Sequence, residues 1–225
     1  MNEWELHRLL AWSSPSYPTG GFSYSHGLEW AVESGAVRTL EDVIEYVETV
    51  LSRGGGWVDA VLFVHTWRSL GCAEALDELA QRAAAFRGSA ETALESRQQG
   101  SAFLDVTRKA WPHPALDAFA RRNGGAPVAH AFAVALACAA HGIELLSSLY
   151  CYLHCVAANL VSAGARLVPL GQTQAQIAIA RLAPAIAQVC ERAVQCPLED
   201  LGTCAPLLEL CSLRHETQYT RLFRS

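Results

Sequence analysis

Apolar residues recur along most of the chain at intervals of three and four, the period of a helix that hides one side. The clearest case follows Thr39, where Val43, Tyr46, Val47, Val50 and Leu51 share one face and Glu41, Asp42, Glu45 and Glu48 share the other. Thr39 suits an N-cap, and the acids lie toward the positive end of the helix dipole. Asn2 and Glu5 have the spacing of a capping box ahead of Leu6, Leu9 and Leu10. The same pattern predicts helices over 25–34, 57–70, 73–87, 90–109 and 114–122, with breaks at Gly35, Gly71, Gly88, Pro112 and the NGGAP stretch at 123–127. Two strongly apolar runs follow, 128–141 and 143–163. A last helix is predicted over 173–195, kinked or broken at Pro184. Sustained period-two alternation is missing, so the pattern predicts an all-α, single-domain helical bundle of roughly eight to ten helices.

The run at 143–163 has nearly the length of a membrane span. Glu144, His154 and Asn159 interrupt it, and a spanning helix wants about 20 almost uncharged residues. Two helices at the centre of an all-α core explain the same composition without lipid. Of 225 residues, 51% are hydrophobic and 17% charged, enough apolar surface for a large core. The formal charge of -5 and the lack of a basic run argue against nucleic acid as a partner. Eight cysteines without a CxxC pair fit reduced thiols better than a disulfide framework, and MNEWELHRLL lacks the apolar region of a secretory signal. A cytoplasmic setting is expected.

Candidate chemistry is concentrated in three places. The first is SPSYPTGGFSYSHGLEW at 14–30. Gly20-Gly21 lacks the Lys-Ser/Thr of a phosphate loop and follows no strand. Ser25 and His26 are neighbours that point apart on a helix, and no GxSxG elbow accompanies them, so a nucleophilic hydrolase is disfavoured. Prolines and glycines explain a shaped turn, whereas Phe22, Tyr24 and His26 crowded at its tip have the character of a recognition surface. The second is a thiol–imidazole set: His130, Cys138 and His141 on one helix, and Cys151, His154 and Cys155 on the next. If Gly142 joins two antiparallel helices, His130 comes level with Cys155. No ligand spacing is sharp, so a packed core is the expectation, with no metal site and no cofactor. The third is SLRHETQYTRLFRS at 212–225, where Arg214, Arg221 and Arg224 alternate with Tyr219, Leu222 and Phe223. It has too few apolar residues to fold alone, so a helical domain over 1–212 with a mobile, partner-binding tail over 213–225 is expected.

Three segments, SPSYPTGGFSYSHGLEWAVESG at 14–35, NLVSAGARLVPLGQ at 159–172 and RHETQYTRLFRS at 214–225, closely resemble the UreF family of urease accessory proteins, and ESRQQGSAFL at 95–104 does so more weakly. The resemblance implies an all-helical protein that is not an enzyme. It implies binding to UreD (also called UreH), recruitment of the GTPase UreG, pairing into a homodimer within that complex, and delivery of nickel to apo-urease. With it, Phe22, Tyr24, His26 and Glu29 become a docking loop, Glu29 supplying charge against a basic patch. Arg166, Pro169 and Gln172 form a second helix-end surface beside it. Arg214, His215, Glu216, Tyr219, Arg221, Phe223 and Arg224 in the tail become contacts for UreD. An alternative gives the chain a GTPase-activating role, with Arg166 as a candidate arginine finger on UreG.

Overall fold

A computed structural model describes residues 1–225, and all of its regular structure is helical. The helices are α1 Glu3–Trp12, α2 Leu28–Glu33, α3 Leu40–Arg53, α4 Gly55–Arg68, α5 Ala73–Ala85, α6 Ala90–Ala110, α7 Pro114–Asn123, α8 His130–Ala140, α9 Leu145–Leu167, α10 Gln172–Gln195 and α11 Pro206–His215. Single 3-10 turns occupy Gly21–Ser23 and Leu198–Asp200. The all-α prediction holds: ten helices have ten residues or more, and the six-residue α2 is the remainder.

Local chemistry places the boundaries. Asn2 Oδ1 accepts from the backbone N–H of Trp4 and Glu5 while Glu5 reaches back to the Asn2 N–H, a closed capping box. Thr39 and Asp42 do the same for α3. Glu144, which interrupts the apolar run, is the cap of α9 and accepts from the N–H groups of Leu146 and Ser147. The helix expected from residue 25 starts only at Leu28, because His26 and Gly27 take left-handed backbone angles of φ 55° and 77°. Helix α10 runs through Pro184 without ending. Helix α11 was not predicted. Leu208 and Cys211 face the core and Leu207, Leu210 and Leu213 face outward, so its apolar residues show no one-sided period.

Helices α4 and α8 form the centre. Residues 60–64 of α4 and 131–133 and 135–138 of α8 are fully or almost fully buried, which is why neither sequence shows an amphipathic stripe. Helix α8 packs between α4 and α6, and α9 against α10, α3, α4 and α8. Six alanines let α8 approach its neighbours closely. The tightest approach is at Gly100 of α6, where a Cβ would stand 2.1 Å from the Val128 carbonyl oxygen. Helix α9 alone is long and apolar enough to cross a membrane by length and composition. Its packing against those four helices accounts for that composition.

Candidate functional site

The three segments singled out in the sequence converge on one end of the bundle. Gly20 enters the 3-10 turn in a left-handed conformation, and the turn lifts Phe22 to the surface while Tyr24 and Ser25 turn inward. His26 and Gly27 then bend the chain into α2. Gly27 is required there twice over: its φ is positive, and a Cβ would lie 2.6 Å from the backbone nitrogen of Ser212 in α11.

The tail is docked against this loop. Its backbone continues the loop's hydrogen bonding: Arg224 N–H donates to the Ser23 carbonyl at 2.8 Å, and Ser25 N–H to the Ser225 carbonyl at 2.8 Å. Phe223 is buried at 3% exposure, and the Arg166 guanidinium lies over its ring at 4.4 Å. The central anchor is Glu29. Its carboxylate accepts from the N–H groups of Leu222 at 2.6 Å and Phe223 at 2.9 Å, and meets His215 Nε2 at 3.0 Å. The other imidazole nitrogen of His215 faces Glu91 at 2.6 Å, and Glu91 also accepts from Arg221 at 2.6 Å. A fully buried imidazole thus lies between two carboxylates, one at hydrogen-bond distance from each ring nitrogen. The reason a tail poor in apolar residues can dock is therefore polar: Glu29 and Glu91 supply the charge its backbone and cations lack.

Below the loop lies a second polar layer around a cavity of about 60 Å³. Asp59 of α4 pairs with Arg87 at 2.5 Å and accepts from the Tyr152 hydroxyl at 2.8 Å, and Arg87 also donates to Ser96. Glu95 faces His26 Nδ1 at 3.1 Å and accepts from Ser225 Oγ at 2.8 Å. Burial alone would lower the His26 pKa, but the Glu95 carboxylate outweighs it and raises it. Burial pushes Glu95 the other way, and His26 again prevails, leaving its carboxyl below the ordinary range. His130, buried with no such close partner, falls to about 4 and is neutral at physiological pH. His130 and Cys155 line the same cavity, as the antiparallel placement of α8 and α9 implied. No three His, Cys, Asp or Glu side chains are grouped to hold a metal ion.

Of the predicted loop residues, only Phe22 stands out in solvent, at 68% exposure. Tyr24 is buried and donates its hydroxyl to Gln98 Oε1, His26 turns toward Glu95, and Glu29 is spent on the tail rather than on a basic patch elsewhere. The aromatic tip expected from the sequence is thus half inward, Phe22 exposed and Tyr24 buried. In the tail, Arg214, Glu216, Tyr219, Arg221 and Arg224 are exposed, and His215 and Phe223 are internal anchors. Arg166 does lie beside the loop, donating to the Phe22 carbonyl at 3.0 Å. That contact and the Phe223 ring already occupy its guanidinium. Gln172 is exposed at the first turn of α10. Glu91, Glu95, Gln98, Asp59 and Arg87 were not singled out. ESRQQG was the available signal for two of them: a run of polar residues inside a helix whose Glu95, Ser96 and Gln99 are buried.

A single helical domain carrying a surface built jointly by a loop, a helix end and the tail is an architecture suited to binding another protein. The family model for UreF matches residues 37–183. The urease accessory protein UreF of Granulibacter bethesdensis is 48% identical over 222 residues, covering 98% of this chain and 94% of that protein. Those of Rhodopseudomonas palustris strain BisB5 and Bradyrhizobium sp. strain BTAi1 are 46% and 45% identical over 98% of this chain, covering 91% and 92% of theirs. The chain belongs to the UreF family of urease accessory proteins.

Proposed function

We propose that the chain acts in urease maturation as a non-catalytic scaffold subunit. In this reading it binds UreD, pairs with a second copy within that complex, and recruits UreG, so that GTP hydrolysis is coupled to nickel delivery into apo-urease in the cytoplasm. The observation that carries the reading is the composite surface around Phe223. Phe22 and Leu222 are 68% and 65% exposed there, with the guanidinium groups of Arg166 and Arg224 alongside, and the chain as a whole is acidic. Exposed apolar anchors flanked by arginines suit a partner that offers pockets rimmed with carboxylates. The buried network beneath holds those anchors in place before any partner arrives, which lowers the ordering cost of association.

The test is co-purification of UreD and UreG with the chain carrying Phe22→Ala and Leu222→Ala together, alongside its circular dichroism and melting temperature. The expected result is an intact fold with capture of at least one partner reduced by about tenfold or more, since truncated interface anchors typically cost ~1–4 kcal/mol. Undiminished capture of both partners by the folded variant would remove this surface from the docking role.

A further inference from the structure

A cavity of about 270 Å³ opens beside the buried polar layer, between the α3–α4 junction, the loop from α5 to α6, and α11. One wall is the first turn of α4. The cap residue there is Gly54, which has no side chain to accept from the helix, and the N–H groups of Gly55 and Gly56 donate to no carbonyl. Such a helix end favours negative charge.

Two side chains bring further donors to the same spot. The side chain of Arg87 is only 6% exposed. Its Nη2 is taken by Asp59 and Ser96, whereas the buried Nε donates to nothing and Nη1 makes no hydrogen bond. His26 gives Nδ1 to Glu95 and leaves Nε2 free. A Cβ on Gly55 would stand 3.6 Å from Arg87 Nη1 and 3.7 Å from His26 Nε2, so the bare backbone of Gly55 leaves a cradle between them. Against the effect of burial, the Glu95 carboxylate raises the His26 pKa, which favours the cation whose Nε2 carries a proton.

The charges around the cradle select the ligand. Arg87 is paired with Asp59 and His26 with Glu95, so the layer carries no surplus of positive charge, and Glu209 adds a carboxylate to the cavity wall beside Gly88. A dianion such as hydrogen phosphate would be repelled by Asp59, Glu95 and Glu209 together, whereas a monoanion needs hydrogen-bond donors more than net charge. Away from the donors the wall is apolar, made by Val50, Val58, Phe86 and Leu208. The geometry points to a binding site for a small organic acid, its carboxylate in the Gly55 cradle between Arg87 and His26 and its hydrocarbon body against Phe86 and Leu208.

The experiment titrates the full, isotope-labelled chain with sodium acetate, butyrate and hexanoate at constant ionic strength, read by NMR, with sodium chloride as the control. The Gly55 amide and Arg87 Nε–H signals should shift and saturate, hexanoate binding tightest with a Kd of about 1 mM, within reach of so small a ligand. Each added methylene that reaches the apolar wall should tighten binding by up to about fourfold. Gly55→Ala puts a methyl group into the cradle at ordinary contact distance and without backbone strain. Its fold should persist while binding weakens by about tenfold or more. Glu209→Gln should tighten binding by up to about fivefold. The shifts are read in the unmutated chain, so the assignment does not depend on any variant folding. The proposal is overturned if the Gly55 and Arg87 signals move no more with hexanoate than with chloride, or if acetate binds as tightly as hexanoate. It is equally overturned if folded Gly55→Ala binds unchanged, or if inorganic phosphate binds more tightly than hexanoate.

Discussion

Glu29→Gln isolates what holds the tail. The change is nearly isosteric, but it replaces a carboxylate that serves Leu222 N–H, Phe223 N–H and His215 Nε2 with a neutral amide. One amide oxygen can still accept, while the amide nitrogen now faces a donor. Losing charge assistance on two hydrogen bonds costs about 1 kcal/mol each, and a buried donor left without an acceptor adds about 1–3 kcal/mol. The buried His215 imidazole also loses one of its two carboxylate neighbours. A total of at least about 3 kcal/mol follows, equal to a roughly 100-fold or larger change in a local opening equilibrium. Because Glu29 contacts the tail and not the central helices, the loss should fall on residues 216–225 alone. Hydrogen exchange read by mass spectrometry on peptides checks it: tail peptides should exchange about 100-fold faster, and peptides from α4 and α8 should be unchanged. Unaltered tail protection would show that Phe223 burial and backbone pairing suffice, and that the polar account of docking is wrong. Equal acceleration throughout would make Glu29 part of the global core.

Two further outcomes rest on the lower polar layer. His26 has a raised pKa, so its contribution is complete below its ordinary value of 6.5 and is lost as pH climbs through the folded value. Glu95 has a lowered one, so its contribution is complete above 4.5 and is lost as pH falls through the folded value. The melting temperature of the chain should therefore exceed that of His26→Asn by most between pH 4.5 and 6.5, with the gap closing on both sides; asparagine is chosen because it tolerates the positive φ. A constant gap from pH 5 to 9 would refute the pairing. Asp59→Ala strands the buried Arg87 guanidinium and removes the acceptor of Tyr152, so chemical denaturation should show a loss of about 3–5 kcal/mol, and a loss below 1 kcal/mol would show that water solvates Arg87.

The helices were legible in the sequence because their causes are local. A capping box needs residues three apart, an amphipathic face needs a period, and a breaker needs one proline or glycine; Asn2–Glu5, Thr39–Asp42 and the stop before Pro112 all follow from neighbours in the chain. The family was legible for a related reason, since its motifs are short unbroken strings. Helix α11 was not, because a helix apolar on both sides carries no period, and its inward face is defined only by α2 and α6, against which it packs. The site divided in the same way. Sequence alone brought forward the loop, the α9–α10 junction and the tail as the places that matter. Which of their residues meet solvent was decided by pairings across 186 to 200 positions, His215 with Glu29 and Ser225 with Ser25. A carboxylate in a motif looks the same whether it will select a partner or hold its own chain. Only the tertiary structure, by placing two backbone N–H groups and a buried imidazole against Glu29, decided that it does the second.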